Sequence, residues 1–408
     1  MRKRIAAIVA SVCIFSFAVT AGNVILAGRI HRTVGNEFGG SYQYSGSIHF
    51  HTRYSDGSGT YGEVAETAAS LGIDFIIPSD HNTVQPMLDG WAKYSGDVLV
   101  IPAVEHSMDG GSGHFLSIGD LVPPVRSSSM PALEVYHTCA DSNMLMFPAH
   151  VYHPRHNSWQ HWDEGRYTGF ELFNLDENWR LNLRPFAVHR LLAALCMSPF
   201  RDDVLNYLLV YPARECATFD TIAARRHVVG IGSTDAHARI RIFKGDREKG
   251  REDTILAFPR YDVQFALVQT IIETEEPFSG NYESDRGMVI EALRRGHCYI
   301  GFSGLENARG FRFRASNGSG QAAMGDSLFF SGSATLSVSL PDSGNVEVRI
   351  LRNGDIVHTA RNTGFVTQTV TRPGVYRVEV YQRRLTLPFF VRKPYPWIIS
   401  NPVYCVTG

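Results

Sequence analysis

Between Gly46 and Gly301 the chain repeats one device: short apolar runs that terminate in side chains able to donate an electron pair. The runs "SGSIHFH", "DFIIPSDH", "DVLVIPAVEH", "GHFLSIG", "MLMFPAH", "TGFELFN" and "HVVGIGSTDAH" have the length and composition of buried strands. At their C-terminal ends stand His49 and His51, Asp80 and His81, Glu105, His150, Glu171 and Asn174, and Asp235 and His237. Helical stretches lie between them. "TYGEVAETAASLG" offers Thr60 as N-cap, Glu63 three residues later and Gly72 as a stop, and "ALEVYHTCADSN" follows a helical pattern. Alternating strands and helices predict a mostly parallel α/β architecture, in which sites gather at the C-terminal ends of strands.

After about Leu305 the texture changes. "GFRFRAS", "ATLSVSL", "VEVRILRNGDIVHTA" and "GVYRVEVYQ" alternate apolar and polar residues, and "RNGD" carries an Asn-Gly hairpin signal. Residues 304–408 therefore read as a small antiparallel β-sandwich. The α/β domain covers 46–303, after a linker at 33–45. Residues 1–32 read as a targeting segment: Arg2, Lys3 and Arg4 precede a long apolar run. The segment fits a cleaved signal peptide first and, nearly as well, an uncleaved anchor spanning the membrane through residues 5–27. Either places the body of the protein outside the cytoplasm, periplasmic, secreted or membrane-anchored.

A formal net charge of −1 over 408 residues excludes a general nucleic-acid-binding surface, so no nucleic-acid partner is expected. The six cysteines form no C-x-x-C pair, which argues against a thiolate zinc site. Buried small side chains are the favoured reading of the cysteines in the body of the chain.

The 16 histidines carry more information, because several sit in short polar clusters. His49, His51, Asp56, His81, Glu105, His114, His150, Asp235 and His237 form a set of imidazoles and carboxylates suited to Zn, Mn or Fe. Nine donors exceed what one tetrahedral ion needs and suit two or three divalent ions with positions open to water. The alternation of a strand would send His49 and His51 to one side.

In this order the motifs "HFHTRYSDG", "PSDHNT", "VEH", "GH" and "GSTDAH" resemble those of the polymerase and histidinol phosphatase (PHP) superfamily. "EALRRGHCYIGF" and "PWIISNPVYC" resemble PHP metallohydrolases with a C-terminal β-domain. The resemblance implies a distorted (β/α)7 barrel with up to three metals at its C-terminal face. It implies that His49, His51 and Asp235 bind one ion and that Glu105 bridges to a second held by His114 and His150. Asp56, His81 and His237 would bind a third. Glu105, Asp235 and His237 then stand at the reacting centre. In "PAHVYHPRH" both His150 and His153 could fill the sixth position, and His150 is preferred because it ends the apolar run.

Bland roles compete at each place. Asp80 fits orientation of His81 or capping of a loop, and Glu171 and Asn174 fit a hydrogen-bonded strand end as well as substrate contacts. His106 and His137 read as surface or structural, His189 as a packed helix residue, and His156 and His161 as loop histidines. Arg53, Arg155 and Arg239 lie beside motif residues and are candidates to clamp a phosphate. The expected activity is metal-dependent hydrolysis of a small-molecule ester, phosphoric first, with carboxyl or carbamate esters as the alternative. A different class is an extracytoplasmic binding protein with structural metals.

Overall fold

In the computed structural model, residues 36–119, 130–154, 158–182, 208–243, 254–256, 259–304, 306–342, 344–386 and 391–407 are described. The expected targeting segment, Arg155, His156, His189 and Cys196 lie outside them. Among the described residues no helix is long and apolar enough to cross a membrane.

The first half supplies β1 (Ser41–Ile48), α1 (Tyr61–Ser70), β2 (Phe75–Ile77), β3 (Ser79–His81), β4 (Val98–Val100), β5 (Ala103–Ser107), β6 (His114–Ile118), α2 (Ala132–Asp141) and β7 (Leu145–Ala149). Then follow β8 (Gly169–Asn174), α3 (Leu175–Asn182), α4 (Ala213–Ala223), β9 (Val229–Ser233), α5 (Tyr261–Leu267), β10 (Gln269–Thr274), α6 (Tyr282–Arg295) and β11 (Cys298–Gly301). Helix α1 starts as its sequence predicts. Thr60 and Glu63 form a reciprocal capping box, and Gly72, with φ +66°, turns the chain away after the last turn.

Two runs expected to be single strands are broken. Pro78 separates β2 from β3, and Pro102 separates β4 from β5. A proline has no N–H for a ladder. The two breaks are adjacent in space, with the Ala103 N–H donating to the Pro78 carbonyl at 2.8 Å. Before them β2 pairs in parallel with β1 and β4; after them β3 pairs in parallel with β5. The break thus lets one chain segment serve two sheets.

The fold is mixed α/β rather than mostly parallel. β8 and β9 are parallel neighbours, but β5–β6, β6–β7 and β1–β10 are antiparallel. The connection from β5 to β6 is a short turn, Met108–Gly113, closed by the Met108 N–H on the Gly113 carbonyl. A link that short permits a hairpin and forbids the long crossover that parallel pairing needs.

The C-terminal strands do not stand apart. Val391–Ser400 pairs with β11, so the sheet that contains β1 runs on through Gly374–Thr386 and Val403–Val406. Arg312–Asn317, Gly320–Ala323, Ala334–Ser339 and Phe365–Val370 form a separate four-stranded antiparallel sheet. The two layers enclose one apolar cluster that includes Phe313, Leu336, Val348, Val378, Tyr395 and Trp397. Asn353 and Gly354, at φ +52° and +91°, make the tight turn between Val346–Arg352 and Asp355–Arg361 that the Asn-Gly pair predicts. Cys139, Cys216, Cys298 and Cys405 are buried free thiols.

Candidate metal centre

The strand β1 ends at Ile48, so the two histidines after it are not placed by its pleat alone. His49 has φ +56°, a left-handed conformation that few side chains adopt. Its backbone is clamped from both sides: the His49 N–H donates to the Ile77 carbonyl, and its carbonyl accepts from the Asp235 N–H at 2.6 Å. Phe50 forms an isolated parallel bridge with Ala236 and packs its ring 4.8 Å from that of Phe265. With Phe50 committed to the core, His49 and His51 emerge on the other side, ring centroids 5.3 Å apart.

The loop after His51 is folded back by its own polar groups. The Asp80 carboxylate accepts from the Thr52 N–H, the Thr52 hydroxyl and the Ser55 hydroxyl at 2.6–2.8 Å. Asp80 is therefore the cap of this loop. At Gly57 a Cβ would stand 2.1 Å from the His51 carbonyl oxygen, so only glycine permits this approach. The Tyr261 hydroxyl donates to the His51 carbonyl at 2.8 Å, tying the loop to α5. Arg239 donates to the Asp56 carbonyl and exposed Arg53 to the Ser58 carbonyl, so both described arginines brace the loop that carries Asp56.

Glu105 occupies the middle. Its Oε2 lies 3.4 Å from Nε2 of His49, 3.2 Å from Nε2 of His51 and 2.9 Å from Nδ1 of His81. Its Oε1 lies 2.7 Å from Nδ1 of His114 and 3.0 Å from Nε2 of His150. Asp235 Oδ1 is 3.6 Å from Nε2 of His49 and 3.2 Å from Nε2 of His51. On the open side, Asp56 Oδ1 stands 3.3 Å from Nε2 of His237 and 3.9 Å from Nε2 of His81. The structure thus brings all nine predicted donors together. Three groups have donor atoms mutually within 4.8 Å: His49, His51 and Asp235; His81, Glu105 and His114; and His51, Asp56, His81 and His237. His51 and His81 each belong to two groups, a sharing that linear spacing did not separate.

Left-handed backbone recurs here. Besides His49, Asp235 has φ +49° and His150 φ +32°. Such conformations cost about 1–3 kcal/mol each and persist where their surroundings over-determine them.

Charge in the cluster is strongly coupled. Burial raises the Asp56 carboxyl, but His237, His51 and His81 outweigh it and hold it down at about 2. Burial lowers His150 and His237, yet Glu105 pushes the first, and Asp56 with Asp235 the second, up to about 9. Glu105 itself, despite burial, is held well below the carboxylate range by His81, His114 and His49.

The residues fit divalent ions on a structural test. His49 Nε2, His51 Nε2, His81 Nδ1, His150 Nδ1 and Glu105 Oε2 are buried and have no hydrogen-bond partner. Orphaned buried polar atoms are costly, and the nitrogens of His49, His51 and His81 meet around Glu105 Oε2, whereas Nδ1 of His150 lies on the ring edge away from the nitrogen that faces Glu105. A cation accepting their lone pairs removes that cost.

Reading the sequence left several neighbours undecided. Glu171 is fully buried, with Oε1 2.5 Å from Nδ1 of His49 and Oε2 accepting from the His150 N–H at 2.6 Å. Asn174 caps α3 through the Glu177 N–H. Asp176, on α3, approaches His153 at 3.9 Å and pairs with Arg180; both lie just past β8, where only Glu171 and Asn174 stood out in the sequence. His150, at 3.0 Å from Glu105, takes the position that His153 also offered; His153 is turned toward Asp176. His106 is buried, stacked on Phe115 and bonded to the Ser117 hydroxyl, and burial lowers it to about 3. His137 faces Glu164 at the surface, and His161 bonds to the Ser112 hydroxyl.

No protein-family model and no curated protein matches the chain. Solved structures do. A protein from Chromobacterium violaceum described as an amidohydrolase, with bound sulfate and no metal, is 12% identical, covers 47% of this chain and 87% of its own, and has a TM-score of 0.30. A protein from Bifidobacterium adolescentis described as a metal-dependent phosphoesterase is 13% identical over 47% of this chain and 87% of its own, at a TM-score of 0.32. Over 89% of its length the chain is similar, at 14% identity and a TM-score of 0.41, to 97% of a two-domain protein from Bacteroides vulgatus described as containing a predicted PHP-like metal-dependent phosphoesterase.

Proposed function

We propose that this chain is a metal-dependent hydrolase of small-molecule esters, phosphoric esters first, working outside the cytoplasm. The observation that carries the reading is the convergence of eight imidazole and carboxylate donors in three groups, with His150 joined to them through Glu105 and five orphaned buried atoms among the nine. The ordered motifs that resemble the PHP superfamily support the choice of phosphorus over other ester centres, and with it a distorted (β/α)7 barrel. The apolar start of the chain supports export.

His49, His51, Glu105 and Asp235 would hold one ion, and Glu105 with His114 and His150 a second. Asp56, His81 and His237 would hold a third. Divalent ions supply two things when bound: a lowered pKa for attacking water and neutralisation of charge on the ester oxygens. Glu105 directs its two oxygens to different donor groups, which is what a bridging carboxylate must do. His49 and His51 have no exposed surface, whereas the side chains of Asp56, His81 and His237 are 48%, 28% and 26% exposed. Substrate therefore approaches from the Asp56 side. There Nδ1 of His237 donates to the Asp235 carbonyl at 2.8 Å, which leaves Nε2 facing Asp56 and the mouth.

The deciding experiment is elemental analysis of the purified full chain paired with turnover of phosphomonoesters, phosphodiesters and carboxyl and carbamate esters. Two or three equivalents of Zn, Mn or Fe with phosphoester turnover are expected. Bound metal with carboxyl-ester turnover alone would replace the substrate class. Bound metal without any turnover would favour a binding protein.

A further inference from the structure

Glu171 belongs to none of the three donor groups, yet its carboxylate lies fully buried between two of the nine donors. Its strand, β8, runs beside β9, with Asn174 opposite Ser233, just before Asp235. Oε1 meets Nδ1 of His49 at 2.5 Å. Oε2 accepts from the His150 N–H at 2.6 Å and from the Asn174 amide at 2.7 Å.

We propose that Glu171 is a positioning residue that fixes His49 with its proton on Nδ1 and thereby turns the Nε2 lone pair toward Glu105 and Asp235. The role rests on the metal-dependent reading above for its consequence, though not for its geometry. With the Glu171 carboxylate as the acceptor of this bond, Nδ1 of His49 is its donor. In a neutral imidazole the other nitrogen then carries the lone pair. That nitrogen, Nε2, is buried, has no hydrogen-bond partner and stands 3.4 Å from Glu105 and 3.6 Å from Asp235. The second oxygen of Glu171 meanwhile holds the backbone of His150 in its left-handed conformation. One carboxylate thus braces both His49, a member of the His49–His51–Asp235 group, and His150, which faces Glu105. Outer carboxylates of this kind set the tautomer and basicity of ligand histidines.

Glu171→Gln separates these functions without changing shape. A carboxamide has one accepting oxygen and one donating nitrogen. The His150 N–H belongs to the main chain and cannot reverse, so it claims the oxygen. The amide NH2 then faces Nδ1 of His49 and draws the imidazole to the opposite tautomer, which blocks Nε2 as a ligand.

The test uses the zinc-loaded full chain with long-range proton–nitrogen NMR of the histidine rings and zinc affinity by chelator competition. Wild type should show His49 protonated on Nδ1 and unprotonated on Nε2. Glu171→Gln should lower zinc affinity about 10–100-fold while the circular dichroism is kept. Glu177→Gln is the control, since that buried carboxylate accepts from the Tyr152 N–H and should leave His49 and zinc affinity unchanged. A proton on Nε2 of His49 in the wild type overturns the proposal, and that spectrum decides even if the variant does not fold. A folded Glu171→Gln chain that binds zinc as tightly as wild type overturns it as well. If wild type binds no metal, the hydrolase reading fails separately, and the same tautomer is read in metal-free protein titrated until His49 is neutral.

Discussion

The C-terminal sheets and the donor cluster bury charge in opposite ways. In the sheets the most deeply buried charges have near partners. Arg377 is buried between the Asp220 carboxylate, held at 2.6 and 2.8 Å, and Glu379 at 2.6 Å. Glu347 accepts from Arg349, Arg361 and Arg383. In the cluster, by contrast, imidazole nitrogens and a carboxylate oxygen crowd together without hydrogen bonds, on backbone that is left-handed at three of the donors. A region selected for stability satisfies its polar groups internally, and one selected for chemistry leaves them poised for something else.

The comparison breaks most visibly if the cluster is emptied. His49→Ala with His51→Ala should abolish bound metal and hydrolysis together while circular dichroism stays native, measured by elemental analysis and turnover of bis-p-nitrophenyl phosphate. Turnover retained by the metal-depleted double variant would sink the mechanism. In the sheets the corresponding cut acts on stability. Arg377→Ala strands Asp220 and Glu379 and should cost about 3–5 kcal/mol in urea unfolding, with metal content per folded chain unchanged.

A pH series sharpens the contrast further. His150 and His237 are raised from 6.5 to about 9 in the folded chain. The stability they lend the metal-free protein is complete below about pH 6.5 and is lost as pH rises through about 9. Asp56 is lowered from 3.8 to about 2, so its contribution is present above 3.8 and lost as pH falls through 2. Metal-free melting temperatures should therefore decline from pH 6.5 to 9. Metal binding should release protons below pH 9 and progressively fewer above it, measured by calorimetry in buffers of different ionisation enthalpy. A binding enthalpy that does not depend on the buffer between pH 6 and 8, meaning that no protons are released, would show that these imidazoles are not ligands. The smallest effect is local: Thr60→Ala removes the capping box of α1 and should cost about 1 kcal/mol, with metal affinity unaltered.

Much of the cluster was legible because its donors are chemically unusual and fall in motif order at the ends of apolar runs. The capping box at Thr60 and the hairpin at Asn353 were legible too, since each is set by residues within four positions of one another. Glu171 was harder, because its partner lies far along the chain: His49 is 122 residues from Glu171. The breaks at Pro78 and Pro102 explain another miss, as hydrophobic runs do not reveal a change of sheet partner.

By itself, then, the sequence determined the donor types, the local caps and turns, and the alternation that buries one face of strands such as Ala334–Ser339. Tertiary structure decided which donor shares with which. His51 and His81 each serve two groups, and Glu105 faces five imidazoles, because clamps from Ile77, Ala236 and Asp80 close the chain around one point. Such sharing depends on distances of a few ångströms between segments far apart in sequence, and only packing sets those.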